Sequence, residues 1–301
     1  MIIKHFVPRN DDIAELKRLS ELDCVSGQQR AVIEKEIKQI KAGDSNEQQT
    51  AYELNLEFEQ STNHALIHGL RLDVDGDVAQ IDHLLVNRFL ETQVIESKSF
   101  LGGVAINEEG EFTAFHNGKP MAMPSPIVQN DRHCMILKRA IRAGKFRTPT
   151  RLGVMLPVKL EPVVLIGNKS RITRPKKKFP ELAQVMKTEQ FSKYFWKKTY
   201  NNINPLLLTK AISVNTLADF ATSMVEHHQP IVFNWAARFG IEEPAAPLGP
   251  TCETCGTALD QKVVNWCKMN TKAFDGRLLC RDHQPKVPSR WVKRTGTSDE
   301  A

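Results

Sequence analysis

Residues 64–99 restrict the fold of this 301-residue chain more than any other stretch, because they hold three apolar segments separated by short breaks. His64–Leu72, Val78–Asn87 and Thr92–Ser99 read as strands, and Asp75-Gly76 between the first two is a tight-hairpin signal. Three adjacent antiparallel strands need a cover on at least one face. The flanking segments provide it. Ile13, Leu16, Leu19 and Leu22 recur at helical spacing behind Asp11-Asp12. A second helix runs through Ile33, Ile37 and Ile40 to a stop at Gly43, and a third starts at Asp44-Ser45-Asn46 and continues to about Gln60. Downstream, short strands are predicted near 104–107 and 111–116. A helix follows from Pro126 to Ala143, with Ser125-Pro126 in cap and first-turn positions. Leu152–Leu156 and Val163–Ile166 read as buried strands. The order helix, three strands, small excursion, helix, strand predicts an α/β sandwich around a central mixed sheet flanked by helices.

Charges interrupt this apolar frame in a particular place. Glu96-Ser97-Lys98 ends the apolar strand Val94-Ile95, and side chains two apart on a strand share a face. Charged groups on one face of a central strand must be paired, metal-bound or open to a cleft. In the preceding strand Val78, Gln80, Asp82, Leu84 and Val86 are expected on one face, so Gln80 and Asp82 break its hydrophobic surface. Asp82 paired opposite the third strand would bring Glu96 and Lys98 within reach. Glu47, Ala51, Leu54 and Phe58 form one helical stripe that aims Glu47 at the sheet, with Glu53 the alternative acid. Gln129, His133, Ile136 and Ala140 repeat that spacing on the later helix. Three carboxylates and a lysine on one sheet make a hard-oxygen site for Mg²⁺ or Mn²⁺.

The run Gln80-Ile-Asp-His83, then Val94-Ile-Glu-Ser-Lys98, then Ser125-Pro126 and Gln129, resembles the nuclease-related domain (NERD) of the PD-(D/E)XK nuclease superfamily. The resemblance spans roughly residues 43–168. The family usually has a Gly-Glu pair at the helix start, where this chain has Asn46-Glu47. The resemblance implies that Asp82 and Glu96 hold a divalent ion and that Lys98 orients or acidifies the attacking water. It further implies that Glu47 completes the metal shell and that Gln129 positions the backbone or a carboxylate.

Net charge is uneven along the chain. Residues 1–131 carry 12 Lys+Arg against 22 Asp+Glu, residues 132–200 carry 18 against 3, and residues 201–301 carry 11 against 10. The middle stretch suits a polyanion. Its expected substrate contacts, together with Gln80 and His133, are Arg139, Arg142, Lys176, Lys177 and Lys178.

Four of the six cysteines fall between 252 and 280. Cys252-Glu-Thr-Cys255-Gly256 and Cys280-Arg-Asp-His283 are two knuckles with the spacing of a structural Zn²⁺ site, zinc-ribbon-like in pattern. Cys252, Cys255, Cys280 and His283 are the expected ligands, with Cys267 a core residue or reserve ligand.

The expected organisation is a helical segment over 1–42, a nuclease-like domain over 43–170 and a basic helical extension over 171–243. A zinc module over 250–285, reached by the linker 244–250, precedes a basic tail over 286–301, where Lys286, Arg290, Trp291, Lys293 and Arg294 lie. No apolar run suggests a membrane span and no leader pattern is visible, so a cytoplasmic protein is expected. The functional expectation is a Mg²⁺-dependent nuclease acting on DNA, with structural Zn²⁺ and a protein partner reached through the zinc module or N-terminal helices. The alternative is an inactive nucleic-acid-binding or adaptor protein.

Overall fold

The computed structural model describes residues 1–177, 179–201, 211–242 and 249–285. Lys178, most of the 244–250 linker and the basic tail from Lys286 lie outside them. Two compact units are present, Met1–Phe239 and Gly240–Ala301. Among the described residues no helix is long and apolar enough to cross a membrane.

The first unit is built on a six-stranded mixed sheet. Strands β1 (Ile2–Lys4), β2 (His64–Val74), β3 (Asp77–Asn87) and β4 (Glu91–Lys98) come first, with helices α1 (Asn10–Ser20) and α2 (Gly27–Phe58) between β1 and β2. Next come β5 (Val104–Ile106), β6 (Phe112–His116), β7 (Lys119–Met123) and helix α3 (Pro126–Arg142). The first unit then continues through β8 (Thr150–Arg151), β9 (Val154–Met155), β10 (Lys159–Ile166), β11 (Ile172–Thr173), β12 (Val185–Lys187) and α4 (Thr188–Asn201). The main sheet runs β1-β2-β3-β4-β10-β12; β2, β3 and β4 are antiparallel neighbours, and β10 is parallel to both β4 and β12. A second sheet, β11-β5-β6-β7, follows the end of β4.

The hairpin forms where Asp75-Gly76 requires it: Asp75 has φ 56° and Gly76 φ 88°, the left-handed pair that matches strand twist. One face of the main sheet buries Leu66, Leu85, Ile95, Val163 and Leu165 against Leu54 and Phe58 of α2 and Phe191 and Phe195 of α4. The other packs Ile67, Leu84, Val86 and Val94 against Leu137 and Ala140 of α3 and against Leu217 and Phe220 of the helix Val214–Glu226.

Several local expectations change. Residues 27–58 form one continuous helix, not two; Gly43 and the Asp44-Ser45-Asn46 caps sit inside it, where burial of Ile40, Thr50, Ala51 and Leu54 outweighs their weak helix-breaking. Leu152–Leu156 is not a buried strand. Leu152, fully exposed with φ 51°, and Gly153 form the turn of a short exposed hairpin, β8–β9. Strands β1, β7 and β12 were not anticipated, being three to five residues long. The alternation along β3 also breaks: Ala79 and Ile81 join the same cluster as Leu84 and Val86. Val78 is therefore exposed and Gln80 half-buried, off the face that carries Leu84. The physical reason lies on β2, where His68 pairs with His83 and Leu70 with Ile81 around Gly69, whose φ of 61° shifts the pleat. Lys4 holds this point by donating from Nζ to the carbonyls of His68 (2.8 Å) and Gly69 (3.1 Å).

The second unit has a small core of Cys252, Val263, Cys267, Phe274 and Leu279. Helices Gln261–Met269 and Thr271–Phe274 lie between the two knuckles; the first is capped by Asp260, whose side chain accepts the Val263 N–H at 2.8 Å. Among the described residues of this unit, strand pairing is confined to one bridge, Thr251 with Ala258.

Candidate active site and metal-binding cluster

The regular ladder between β3 and β4 ends at His83 and Ile95. One step further the contact passes to side chains: the Ser97 N–H and hydroxyl both donate to Asp82 Oδ2, at 2.8 and 3.1 Å. Asp82 is thereby fixed at the opening of the two strands. Glu96, 1% exposed, accepts from Lys98 Nζ at 2.5 Å through Oε1. Its other oxygen, Oε2, is buried, has no hydrogen-bond partner, and faces His133 Nδ1 of α3 at 3.5 Å. Gln129, one turn earlier on α3, lies close enough to Glu96 to favour its charged form.

Glu47 enters from α2 and interacts electrostatically with Asp82, Glu96 and Lys98. The alternative acid, Glu53, is occupied elsewhere, accepting from Asn168 Nδ2 at 3.0 Å and Gln49 Nε2 at 3.2 Å. Burial, then repulsion from Asp82 and its neighbours, pushes the Glu47 carboxyl up to about 8. Burial and Asp82 likewise push Glu96 up to about 8, against the pull of Lys98. Asp82 is also raised, by burial, although Lys98 and the Ser97 hydrogen bonds oppose it. Burial works against the Lys98 charge, but Glu96 and Asp82 outweigh it and hold the ammonium above its usual range. Burial and the Lys98 charge lower His133 to about 4.

The cluster thus crowds three carboxyls around one ammonium, and their upward shifts mean that they resist being charged together without a further cation. A divalent cation is the group that such oxygen donors fit, and the orphaned Glu96 Oε2 is an acceptor for it. Closure is incomplete, however. Among the described residues, the His/Cys/Asp/Glu group with its ligand atoms all within 4.8 Å of one another is in the second unit, not here.

The remaining expected contacts disperse. Arg139 donates to the Val74 carbonyl (2.8 Å) and Asp77 (2.7 Å), bracing the β2–β3 hairpin. Arg142, Lys176 and Lys177 are exposed, and Gln80 pairs in register with Arg71. Lys178 lies outside the described residues. Two placements could not be read from the sequence. Asn130, fully buried, donates from one amide nitrogen to the carbonyls of Val94 (2.8 Å) and Val163 (2.9 Å), pinning α3 to the β4–β10 pair. The segment after β10 carries exposed Lys169 and Arg171 and is laced to the chain just beyond Lys98: Phe100 N–H donates to Ser170 Oγ and Val104 N–H to the Arg171 carbonyl, both at 2.8 Å. The register Lys98–Ile166 puts this loop at the same sheet end as the cluster, which strand pairing alone reveals.

Residues 42–167 match the family model of the nuclease-related domain. This segment is similar to a NERD domain. The matched span contains Glu47, Asp82, Glu96, Lys98, Gln129 and His133, so the convergence described above lies wholly inside it. That similarity is consistent with the PD-(D/E)XK superfamily and suggests a nuclease-related role for this segment. No curated protein and no solved structure matches the chain.

In the second unit Cys252, Cys255, Cys280 and His283 place one ligand atom each within 4.8 Å of all the others. Cys255 Sγ is 3.7 Å from Cys280 Sγ, and His283 Nδ1 is 3.2 Å from Cys280 Sγ and 3.7 Å from Cys252 Sγ. Gly256, with φ 71°, makes the turn that the first knuckle needs. Although burial opposes it, backbone N–H groups of Cys280, Thr254 and Cys255 draw the Cys252 thiol down to about 5, toward the thiolate a metal binds. Cys267 stands apart, its buried sulfur exchanging hydrogen bonds with the Leu279 backbone at 3.3 and 3.4 Å.

The raised carboxyls predict a pH-dependent metal affinity. Below about 8, Glu47 and Glu96 hold protons that a cation must displace. Calorimetric Mn²⁺ affinity of the acidic site should therefore rise roughly tenfold per pH unit from 6 to 8 for each proton released, then level off. In the metal-free protein, carboxyls raised in the folded state give stability that is present below about 4.5 and lost as pH rises through about 8. Affinity independent of pH over this range would exclude these two groups from the metal shell.

Proposed function

We propose that this protein is a divalent-metal-dependent nuclease that hydrolyses phosphodiester bonds, in DNA. The observation that carries the reading is the buried Glu96–Lys98 pair, held at 2.5 Å beside Asp82 at the end of a central strand. Nothing in the packing of a sheet calls for that arrangement, and its desolvation is costly.

Asp82 and Glu96 would hold Mg²⁺ or Mn²⁺, with Glu47 completing the shell directly or through water. The cation would lower the pKa of bound water and offset charge developing at phosphorus. Ser97 fixes the Asp82 carboxylate, so that one oxygen is aimed by two donors and the other is left for the cation. Lys98, held charged by its acidic neighbours, stands ready to orient the attacking water and to stabilise the phosphorane-like charge. Gln129 keeps Glu96 toward its ionised form. Lys169 and Arg171 lie at the same end of the sheet as Lys98, and we assign them, ahead of Arg139, Arg142, Lys176 and Lys177, as contacts to the phosphate backbone. Such contacts give affinity that is independent of sequence and weakened by salt.

Zn²⁺ bound by Cys252, Cys255, Cys280 and His283 would be structural: the donor set is closed, with no position left for a substrate. The module is proposed as a contact for nucleic acid or a protein partner.

The substrate class is tested by incubating the zinc-loaded protein with supercoiled, linear and single-stranded DNA and with RNA, in Mg²⁺, Mn²⁺ or EDTA. Cleavage of at least one DNA form with metal, abolished by EDTA, is the expected result. Salt-sensitive binding without cleavage in any metal would replace the nuclease reading by that of a binding protein.

A further inference from the structure

We propose that His133 is a nitrogen ligand of the divalent cation held by Asp82 and Glu96, and that it tilts the site toward Mn²⁺ over Mg²⁺. This inference rests on the nuclease reading above and adds a ligand to it.

His133 Nδ1 and Glu96 Oε2 face each other at 3.5 Å, beyond a good hydrogen bond. Both atoms are buried and neither has a hydrogen-bond partner. Buried polar atoms almost always find one, so two orphans facing each other call for a third body between them. Two donors bound to one ion at about 2.1 Å each sit no more than about 4.2 Å apart, so the observed spacing can be bridged by a single cation. The other contacts of these residues are settled. Glu96 Oε1 is engaged by Lys98, and Asn130, one turn before His133 on α3, ties the helix to the carbonyls of Val94 and Val163. The imidazole therefore stands where the helix anchoring places it, with its free nitrogen turned to the free oxygen of the carboxylate.

Such a mixed donor set has consequences for metal choice. Mg²⁺ is hard and demands oxygen in near-ideal octahedral geometry, whereas imidazole suits the transition ions. An imidazole beside two carboxylates raises affinity for Mn²⁺ with little gain for Mg²⁺. The rival third body is an ordered water, which would leave His133 outside the metal shell.

Pulsed electron paramagnetic resonance of Mn²⁺ separates the two. The full chain, saturated with Zn²⁺ so that His283 is occupied, receives one equivalent of Mn²⁺. Wild type, His133→Ala, His133→Asn and Asp82→Asn are compared, and thermal melting selects whichever His133 variant remains folded. The expected spectrum of the wild type shows nitrogen modulation from a directly bound imidazole, lost in the His133 variant. Titration should show the Mn²⁺/Mg²⁺ affinity ratio falling about tenfold in that variant. Mn²⁺ that binds dependently on Asp82 but shows no nitrogen modulation would overturn the His133 assignment and leave the nuclease reading standing. Modulation that persists without His133 would overturn it as well. No Asp82-dependent Mn²⁺ binding at all would overturn both.

Discussion

Replacing Lys98 with alanine is expected to lower metal-dependent cleavage roughly a thousandfold while leaving the fold in place, the scale seen when one preorganised electrostatic group is removed. The structure explains why the two effects separate. Lys98 pairs with Glu96 at 2.5 Å and also pulls the raised Glu47 and Glu96 carboxyls back toward their ordinary range. Removing one partner of a buried pair ordinarily leaves an uncompensated charge that is strongly destabilising. Here Glu96 is already pushed up to about 8 against the pull of Lys98, so without the ammonium it rises further and stays protonated at neutral pH, leaving no bare charge. Thermal unfolding should then shift little at pH 7, while single-turnover cleavage collapses. Divalent-ion binding should survive, because the ammonium is not a ligand and its loss removes a competing cation. Cleavage within a few-fold of the wild type would place the reacting phosphate elsewhere.

The second large effect concerns the zinc module. Its described core centres on a cluster of five buried side chains, two of them cysteines, with Val264 also buried, too little apolar surface to offset the chain entropy of the segment. Structural Zn²⁺ supplies about 10–16 kcal/mol in small modules of this kind, and there that binding is the folding energy. Chelation, or Cys280→Ser, should therefore unfold residues 249–285 outright. Hydrogen exchange would read it as loss of amide protection across the helix Gln261–Met269, with protection in β2–β4 of the first unit unchanged. Cys267→Ala should behave differently. Its sulfur bonds the Leu279 backbone and not the Cys/His cluster, so zinc should remain bound at full stoichiometry with only a modest loss of stability. Protection that survives chelation would show the segment to be held by its own packing.

The sequence made some of this visible and hid the rest for identifiable reasons. The hairpin at Asp75-Gly76, the three antiparallel strands and the stripe bringing Glu47 toward the sheet could be read because each depends on local chemistry or periodicity. The two knuckles were equally plain, since ligand spacing is itself a local property. What depended on tertiary packing was not visible. Gly43 looked like a helix stop, but burial on both sides of it keeps α2 continuous. Gly69 changes the phase of β2 and β3 through its left-handed backbone, and strict alternation therefore misplaced Gln80 and Val78. On α3 the expected His133 and Ala140 do face inward and Ile136 packs on the core, but the stripe missed Ile127, Asn130 and Leu137, which are buried beside them, and Gln129 is only half-buried. Charge counting located a basic stretch but not which of its members lie at the sheet end that carries the cluster. Arg139 is used up by Asp77, whereas the loop of Lys169 and Arg171 lies at the same sheet end as the cluster through a parallel register, Lys98 with Ile166, that no local pattern encodes.

Whether Asp82, Glu96 and Lys98 form a hydrolytic metal site is decided by single-turnover cleavage by the wild type and Asp82→Asn at pH 8, in Mn²⁺ and in EDTA. The wild type should cleave in Mn²⁺ alone, and Asp82→Asn should lose both Mn²⁺ binding at the acidic site and cleavage. Cleavage that persists in EDTA, or that is unchanged in Asp82→Asn, would contradict that assignment.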